Sequence, residues 1–357
     1  MRFLRLIFLL LFSFGCLAQN RSTSLLQKKN LPVDSLFMDF ITRTLVRYDS
    51  VNPVLLHTDP YENSCPAGIV TDPLDHDKFI FYRGEFLGSI SVDARVTYFI
   101  GDKSDPFDLG TLQGVILAPG GSGSVDENGA RFGCVLEVGG IIYYYYVGID
   151  ASYTWRICLA TSTDGRTFTK QGVVLDVTVE EPSVSDPVII YYNGRLEMAY
   201  TIWSGPVDSQ PNHNPGFSNE GIKLATSTDF TSWTREDVAL IPIGPSGSFY
   251  DNNVEGGQLF KFNYTYAYFF NANDGSPLFT WTIGVGYTPW PNTDDPLTNR
   301  FYIRPTTPFF GPCATCWDDR VVAVPLLHLF PSGWVMYYQA YTNGSDDIDI
   351  GAATFEH

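Results

Sequence analysis

The chain has 357 residues, of which 44% are hydrophobic, 15% aromatic and only 17% charged. This length allows two ordinary domains or one large β domain, and the apolar and aromatic content excludes a disordered or fibrous protein. The formal charge of −17 argues against binding to nucleic acid or to an anionic membrane surface, because both need basic patches.

Residues 1–18 have the pattern of a secretion signal, with Arg2 and Arg5 before an apolar stretch and Ala18 at a small-residue cleavage site. The segment that ends at Cys16 also resembles a lipobox, so an N-terminal lipid anchor through Cys16 is an alternative. No later run is long enough to predict a membrane span. The pattern therefore predicts a secreted or periplasmic protein.

Residues 19–50 form an N-terminal extension in which apolar residues recur at helical spacing between Pro32 and Tyr48. This spacing predicts a short amphipathic N-terminal helix that packs on the side of the following domain.

The rest of the chain contains a repeat of about 65 residues, which begins each time with an acidic residue before an apolar strand. The five acids are Asp59, Asp126, Glu180, Asp251 and Asp318. Each acid is followed by strand A, by an aromatic strand B and by strand C, and the first four repeats continue into a strand D. A repeat of this kind predicts one four-stranded sheet per unit.

The fifth repeat ends after strand C, whereas residues 52–57 form a strand-like segment before the first repeat. Pairing of this segment with the last sheet would close a ring and remove two exposed sheet edges. The sequence therefore predicts an all-β fold over 51–357, a five-bladed β-propeller closed by an N-terminal strand. A β-helix or two sandwiches would leave the missing last strand unexplained.

In a propeller, strand A of every blade lines the central axis, so acids at the start of these strands converge at one mouth of the channel. Paired carboxylates suit cleavage of a glycosidic bond, in which one protonates the leaving oxygen and another activates water. The repeated acids could instead cap turns. Asp186 and Glu255 differ from them, because each occurs at its position in one blade only.

Three segments resemble glycoside hydrolase family 43 and its relatives, the superfamily of arabinanases, xylosidases and invertases. They are Asp186-Pro-Val-Ile-Ile-Tyr-Tyr-Asn-Gly194 in blade three, Glu255-Gly-Gly-Gln-Leu-Phe-Lys-Phe262 with the following Tyr266-Ala-Tyr-Phe-Phe270 in blade four, and Phe132-Gly-Cys-Val-Leu-Glu137 with its Tyr-rich strand in blade two. The resemblance covers 52–357 and its order is that of the family.

The resemblance implies an inverting glycosidase in which Glu255 is the general acid and Asp186 orients it and raises its pKa by like charge. The general base is expected before the Pro66 of blade one, where this chain has Cys65. Either Asp59 supplies the base or the machinery is incomplete.

Five further residues are candidates for substrate binding. They are Asp126, Arg131, Trp203, Trp317 and Asp318. The acids and Arg131 lie near the predicted channel mouth, and the indole rings suit stacking on the apolar faces of a sugar. Packing within an aromatic-rich protein is the alternative role of both tryptophans.

Five cysteines remain after removal of the signal, so at least one thiol is free. Cys313 can pair with Cys316 or with Cys65, whereas Cys134 and Cys158 lie on strands separated by a third strand, too far apart for a disulfide. The sequence predicts no metal site and no cofactor, although a structural calcium ion in the channel is conceivable.

The favoured function is that of a secreted glycoside hydrolase acting on a plant- or algal-type oligo- or polysaccharide. The alternatives are a non-catalytic carbohydrate-binding propeller and a related glycoside phosphorylase or transferase. We expect a monomer whose partner is the carbohydrate substrate.

Overall fold

A computed structural model describes the chain from Leu45 onward with several gaps. The described residues are 45–47, 52–56, 61, 63–87, 92–204, 219–262, 265–275, 281–287, 301–303, 307–341 and 348–355. The predicted signal with Cys16 and the candidate base Asp59 lie outside the described residues.

The described residues form twenty strands, and no helix occurs among them. The first is β1 (Leu45–Arg47). Blade one has β2 (Asn63–Thr71), β3 (Lys78–Leu87), β4 (Val92–Asp102) and β5 (Leu112–Leu117). Blade two has β6 (Gly129–Val138), β7 (Ile141–Ile149), β8 (Trp155–Ser162) and β9 (Thr169–Leu175). Blade three has β10 (Ser183–Tyr192), β11 (Arg195–Trp203), β12 (Asn219–Ser227) and β13 (Thr234–Ile241). Blade four has β14 (Asn253–Phe262), β15 (Thr265–Asn273), β16 (Thr282–Tyr287) and β17 (Tyr302–Ile303). Blade five has β18 (Val321–Phe330), β19 (Gly333–Tyr341) and β20 (Asp349–Phe355).

Within each blade, consecutive strands pair antiparallel, and the blades follow one another around a ring. The first strands β2, β6, β10, β14 and β18 contact one another in that order, and β18 also contacts β2. This cyclic order of five sheets is that of a β-propeller, with the first strands innermost. The part of the chain that is described has no helix long and apolar enough to cross a membrane.

The core lies between neighbouring blades, where aromatic side chains of the second strands meet. One apolar cluster joins blades one and two around Tyr82 and Tyr144. Another joins blade five to blade one, where Phe81 packs against Tyr337 with ring centroids 5.2 Å apart. These edge-to-face contacts explain why the chain needs an aromatic residue at this level of nearly every second strand.

The start of the described chain lies along the outer edge of β20. Leu45 pairs with Phe355 and Arg47 with Ala353, and Leu55 forms an isolated antiparallel bridge with Ile350. The sheet of blade five thus has the order β1-β20-β19-β18 and contains a fourth strand from the other end of the sequence. Most of the pairing between the N-terminal part of the chain and β20 comes from 45–47, whereas the sequence predicts 52–57 as the strand that closes the ring.

The prediction of a helix over residues 32–48 is wrong at the three residues of this range that are described, because Leu45–Arg47 is strand β1. Leu45 packs into the cluster between blades four and five, while Val46 is 40% exposed. This alternation fits a strand, and the unpaired edge of β20 supplies the hydrogen-bonding partner that a helix would not use.

The same kind of contact recurs within three of the blades, and in blade five it ties β1 to the sheet. In each case a buried carboxylate at the blade entrance accepts a hydrogen bond from a tyrosine of the second strand, and a cation of the outermost strand lies 2.6–2.7 Å from it. The three sets are Asp126 with Tyr146 and Lys170, Glu181 with Tyr200 and Arg235, and Asp318 with Tyr338 and Arg47. Arg47 therefore occupies in blade five the place that Lys170 has in blade two.

Arg47→Met should lower the free energy of unfolding by about 3 kcal/mol, because it leaves the fully buried Asp318 carboxylate without its cation. Urea denaturation measures this change. Adding Asp318→Asn to Arg47→Met should recover part of the loss, since no buried charge then remains. A chain beginning at Asp49 lacks β1 and should be destabilised as well; unchanged midpoints in both proteins would contradict the structural role of this contact.

Candidate active site

The innermost strand of each blade contains a β-bulge at the same level. The register shifts after Pro66 in β2, after Arg131 in β6, after Ser185 in β10, after Glu255 in β14 and after Ala323 in β18. A bulge interrupts the alternation of side chains and re-aims one of them. Five bulges at one level turn side chains from different blades toward one another.

Four side chains near these bulges act on each other electrostatically. They are Cys65 of blade one, Arg131 of blade two, Asp186 of blade three and Glu255 of blade four. Both Arg131 and Asp186 influence Glu255, and the same two residues influence Cys65. The structure thus brings together the predicted pair Glu255 and Asp186, and places Arg131 beside it.

Glu255 is a carboxylic acid held in its neutral form near pH 7. Withdrawal of its carboxyl from water, followed by the negative charge of Asp186, raises the pKa of Glu255 to about 8, and Arg131 opposes this shift. A proton retained at neutral pH is what a general acid requires.

The two glycines after Glu255 allow the close approach of its neighbours. A Cβ at Gly256 would lie 2.8 Å from Cβ of Asp186, and a Cβ at Gly257 would lie 1.9 Å from the carbonyl oxygen of Phe269. Both glycines have positive φ angles, of +21° and +127°. The Glu-Gly-Gly sequence therefore gives Asp186 room to lie directly against the backbone that carries Glu255.

Asp186 is itself the bulged residue of β10 and has a left-handed backbone with φ of 49°. Aspartate tolerates this region better than most residues. One of its oxygens, Oδ2, accepts a hydrogen bond of 2.6 Å from Ser185 Oγ.

Arg131 reaches this site between two aromatic rings. Its guanidinium carbon lies 4.6 Å from the centre of the Trp155 ring and 5.4 Å from that of Phe86. Cation–π contacts of this kind hold the planar guanidinium in place.

Cys65 stands where the resemblance expects the base. Its side chain is fully buried, Sγ lies 3.8 Å from the carbonyl oxygen of Gly84, and burial raises the pKa of the thiol well above its usual value. A neutral buried thiol is neither a base nor a nucleophile. Asp59, the residue that we predict as the base in its place, is outside the described residues.

The repeated acids are engaged inside the protein. Asp126 is 3% exposed and Asp318 is fully buried, and both carboxylates have the tyrosine and cation partners given above. Their predicted contact with substrate remains a prediction, and the contacts seen are those of the alternative, structural role.

At two of the five blade entrances, the residue in the repeated structural position is the neighbour of the acid that the sequence predicts. In blade three Glu181, not Glu180, is buried and ion-paired. In blade four Tyr250 takes the place of Asp126, since Gly244 N bonds to the Tyr250 carbonyl as Gly120 N bonds to that of Asp126. A shared Gly-x-Ser-Gly-Ser segment at 120–124 and 244–248 is the signal that identifies this register.

The two tryptophans differ in their surroundings. Trp203 is 4% exposed and its Nε1 donates to Ser185 Oγ at 2.9 Å, so its ring offers no face to a sugar. Trp317 is half-buried and stacks on Tyr338 with ring centroids 6.1 Å apart. For Trp203 the packing alternative fits, and for Trp317 the sugar contact stays a prediction.

The cysteines have the pairing that the first alternative predicts. Cys313 is bonded to Cys316, and Cys65, Cys134 and Cys158 are free thiols. Among the described residues, no group of three or more His, Cys, Asp or Glu side chains is arranged to hold a metal ion.

Glu255 also gives the protein a pH-dependent stability. Because its pKa is about 8 in the folded protein against 4.5 for an exposed glutamate, the folded state binds the proton more tightly. Glu255 should therefore stabilise the fold least above pH 8, with stability falling as pH rises from about 4.5 to about 8. Melting temperatures of the wild type and Glu255→Gln, compared across this range, should converge toward low pH and diverge toward pH 8, with the variant the more stable at pH 8 relative to pH 5. Parallel curves would contradict a Glu255 that is neutral near pH 7.

No protein-family model matches the sequence, and no curated protein does. Solved structures do resemble the fold. A glycoside hydrolase matches 92% of this chain and 96% of its own with a TM-score of 0.66 at 11% identity. A thermostable family-43 glycoside hydrolase matches 84% of this chain and 92% of its own, with a TM-score of 0.57 at 15% identity.

A third structure, the β-1,2-mannobiose phosphorylase from Listeria innocua in complex with β-1,2-mannobiose, matches 87% of this chain and 97% of its own, with a TM-score of 0.60 at 14% identity. At such identities these likenesses establish the fold and not the reaction. The resemblance predicted from the three sequence motifs is thereby confirmed: the chain has the five-bladed propeller fold of the family-43-like glycoside hydrolases.

Proposed function

We propose that this protein is a glycoside hydrolase in which Glu255 is the general acid. The observation that carries the proposal is the position of Glu255, a carboxyl kept protonated at neutral pH and set against the charge of Asp186. Burial alone would also raise the pKa of a structural glutamate, but here a second carboxylate and an arginine from two other blades meet it. Perturbed carboxyls that converge in this way are typical of active sites.

In this mechanism Glu255 transfers its proton to the glycosidic oxygen as the bond to the anomeric carbon breaks. The negative charge of Asp186 helps to keep the proton on Glu255 before the reaction, and Asp186 orients the acid. Arg131 is positioned to bind a substrate oxygen. A water molecule attacks the opposite face, activated by a carboxylate of blade one, for which we propose Asp59; inversion requires that it stand about 6.5–9.5 Å from Glu255.

A phosphorylase is the second candidate, and the neutral Cys65 beside Arg131 favours it. Phosphate needs no general base to attack the anomeric carbon, because it is already an anion. Arg83 also acts on Cys65 electrostatically, and Arg83 and Arg95 both pair with the buried Glu85 of blade one. In this reaction a phosphate oxygen bonds to the anomeric carbon while Glu255 protonates the departing sugar oxygen.

We further propose that residues 1–18 direct the protein out of the cytoplasm, with Cys16 as the alternative lipid-attachment point, and that its substrate is a plant- or algal-type saccharide. The pairing of β1 with β20 is proposed to be the contact that keeps the ring closed.

A substrate panel tests these proposals on the purified full chain. Aryl arabinofuranoside, aryl xyloside, arabinan, fructan and mannobiose would each be incubated with and without inorganic phosphate. Release of a free sugar without phosphate supports hydrolysis, and NMR of the first product shows whether the anomeric configuration is inverted. Formation of a sugar phosphate only when phosphate is present supports the phosphorylase. Binding without any turnover supports the carbohydrate-binding propeller.

A further inference from the structure

Three side chains behind Glu255 form a hydrogen-bond chain that runs in one direction. Trp203 Nε1 donates to Ser185 Oγ at 2.9 Å, and Ser185 Oγ donates to Asp186 Oδ2 at 2.6 Å. An indole nitrogen can only donate, so the serine oxygen accepts there and its own proton is directed to the carboxylate. Both donors are shielded from solvent, since Ser185 is fully buried and Trp203 is 4% exposed.

The β-bulge of blade three makes this chain possible. In a regular strand the side chains of adjacent residues point to opposite faces, so a serine could not donate to the aspartate that follows it. Here the register shifts directly after Ser185, and Asp186 has a left-handed backbone. The bulge therefore turns the Asp186 carboxylate back toward the hydroxyl of its neighbour.

The hydrogen bond fixes the position of the Asp186 carboxylate. The hydroxyl donates to one carboxylate oxygen at 2.6 Å, which is a short contact. Because the negative charge of Asp186 raises the pKa of Glu255, holding this carboxylate in place helps to keep the proton on Glu255.

We propose that Ser185 and Trp203 are positioning residues, whose hydrogen-bond chain holds the Asp186 carboxylate against Glu255. The inference rests on the proposed function for its effect on turnover, but the contact itself is independent of it. Neither residue touches the reacting atoms, so both act through Asp186.

The chain offers a matched control for the serine. Ser183 lies on the same strand, is equally buried, and its hydroxyl has no hydrogen-bond partner among the described residues. Ser183→Ala thus removes the same atom as Ser185→Ala without breaking the hydrogen-bond chain.

The first readout is the pH profile of kcat/KM, measured on a substrate that the panel identifies. Ser185→Ala should lower the plateau about tenfold and move the basic limb to lower pH, because a loosely held Asp186 raises the pKa of Glu255 less. Trp203→Phe should act in the same direction with a smaller loss, of about threefold, because the serine hydroxyl remains. Ser183→Ala should leave the basic limb in place.

The second readout needs no turnover. A well-held Asp186 raises the pKa of Glu255 and so makes the wild type lose more stability as the pH rises from 5 to 8. The difference in melting temperature between wild type and Ser185→Ala should therefore be larger at pH 5 than at pH 8. For Ser183→Ala the difference should be the same at both pH values. If Ser185→Ala behaves like Ser183→Ala in this measurement, the proposal is overturned even where hydrolysis is found. If the pH-dependent difference appears but no sugar is cleaved, the hydrogen-bond chain stands and the proposed reaction fails.

Discussion

Glu255→Gln should reduce kcat on an unactivated glycoside by about a thousandfold while substrate binding is retained. The amide keeps the shape of the side chain but has no acidic proton to give to the leaving oxygen, and proton transfer by a positioned acid contributes factors of about 10² to 10⁴. The reduction should be largest for leaving groups that need the proton most.

A comparison of two substrates shows whether the lost activity is due to the lost proton. On a dinitrophenyl glycoside, whose leaving group departs as an anion, the variant should lose far less activity than on an alkyl glycoside. Glu180→Gln removes an exposed acid of blade three and should leave both rates unchanged. An equal loss on both substrates, or full activity on the alkyl glycoside, would show that Glu255 is not the acid.

Asp186→Asn should lower kcat about a hundredfold and shift the basic limb of the pH profile to lower pH, by about one unit. The reason is electrostatic: the negative charge of Asp186 is the second-largest cause of the raised pKa of Glu255, and the amide removes it. Glu255 then loses its proton at a lower pH. The asparagine oxygen can still accept the hydrogen bond from Ser185, so the bulge should persist.

Rates measured from pH 5 to pH 9 check this shift. Asp176→Asn, which removes a largely exposed carboxylate of blade two, is the control and should leave the basic limb in place. A fall in kcat with an unchanged basic limb would mean that Asp186 orients Glu255 without setting its charge.

Much of the architecture could be predicted because local sequence patterns determine it. The repeated order of an acid, an apolar strand and an aromatic strand identifies each blade, since strands and tight turns depend on residues that are close in sequence. Asp186 and Glu255 were recognisable because each breaks the repeat in one blade. The resemblance to a known family added their roles, and the structure brings the two side chains together.

The errors arise where the outcome depends on distant parts of the chain. Whether the apolar residues of 45–47 form a helix or a strand depends on the free edge of β20, some three hundred residues away. The one-residue slip at Glu180 changes which side chain is buried, because adjacent residues face opposite ways and only packing between blades selects the inner one. Whether the ring of Trp203 can reach a sugar likewise depends on its neighbours in the fold, which leave it only 4% exposed.

By itself, the sequence determined the strands, the turns, the number of repeats and the two acids that depart from the pattern. Only the tertiary structure decided which segment completes blade five, which acid of each pair is buried, and that Ser185 and Trp203 stand behind Asp186. The physical reason is the distance along the chain over which each effect acts. Strand propensity and turn chemistry depend on a few neighbouring residues. Burial, ion pairing and the direction of a bulged side chain depend on contacts between residues that are far apart in sequence.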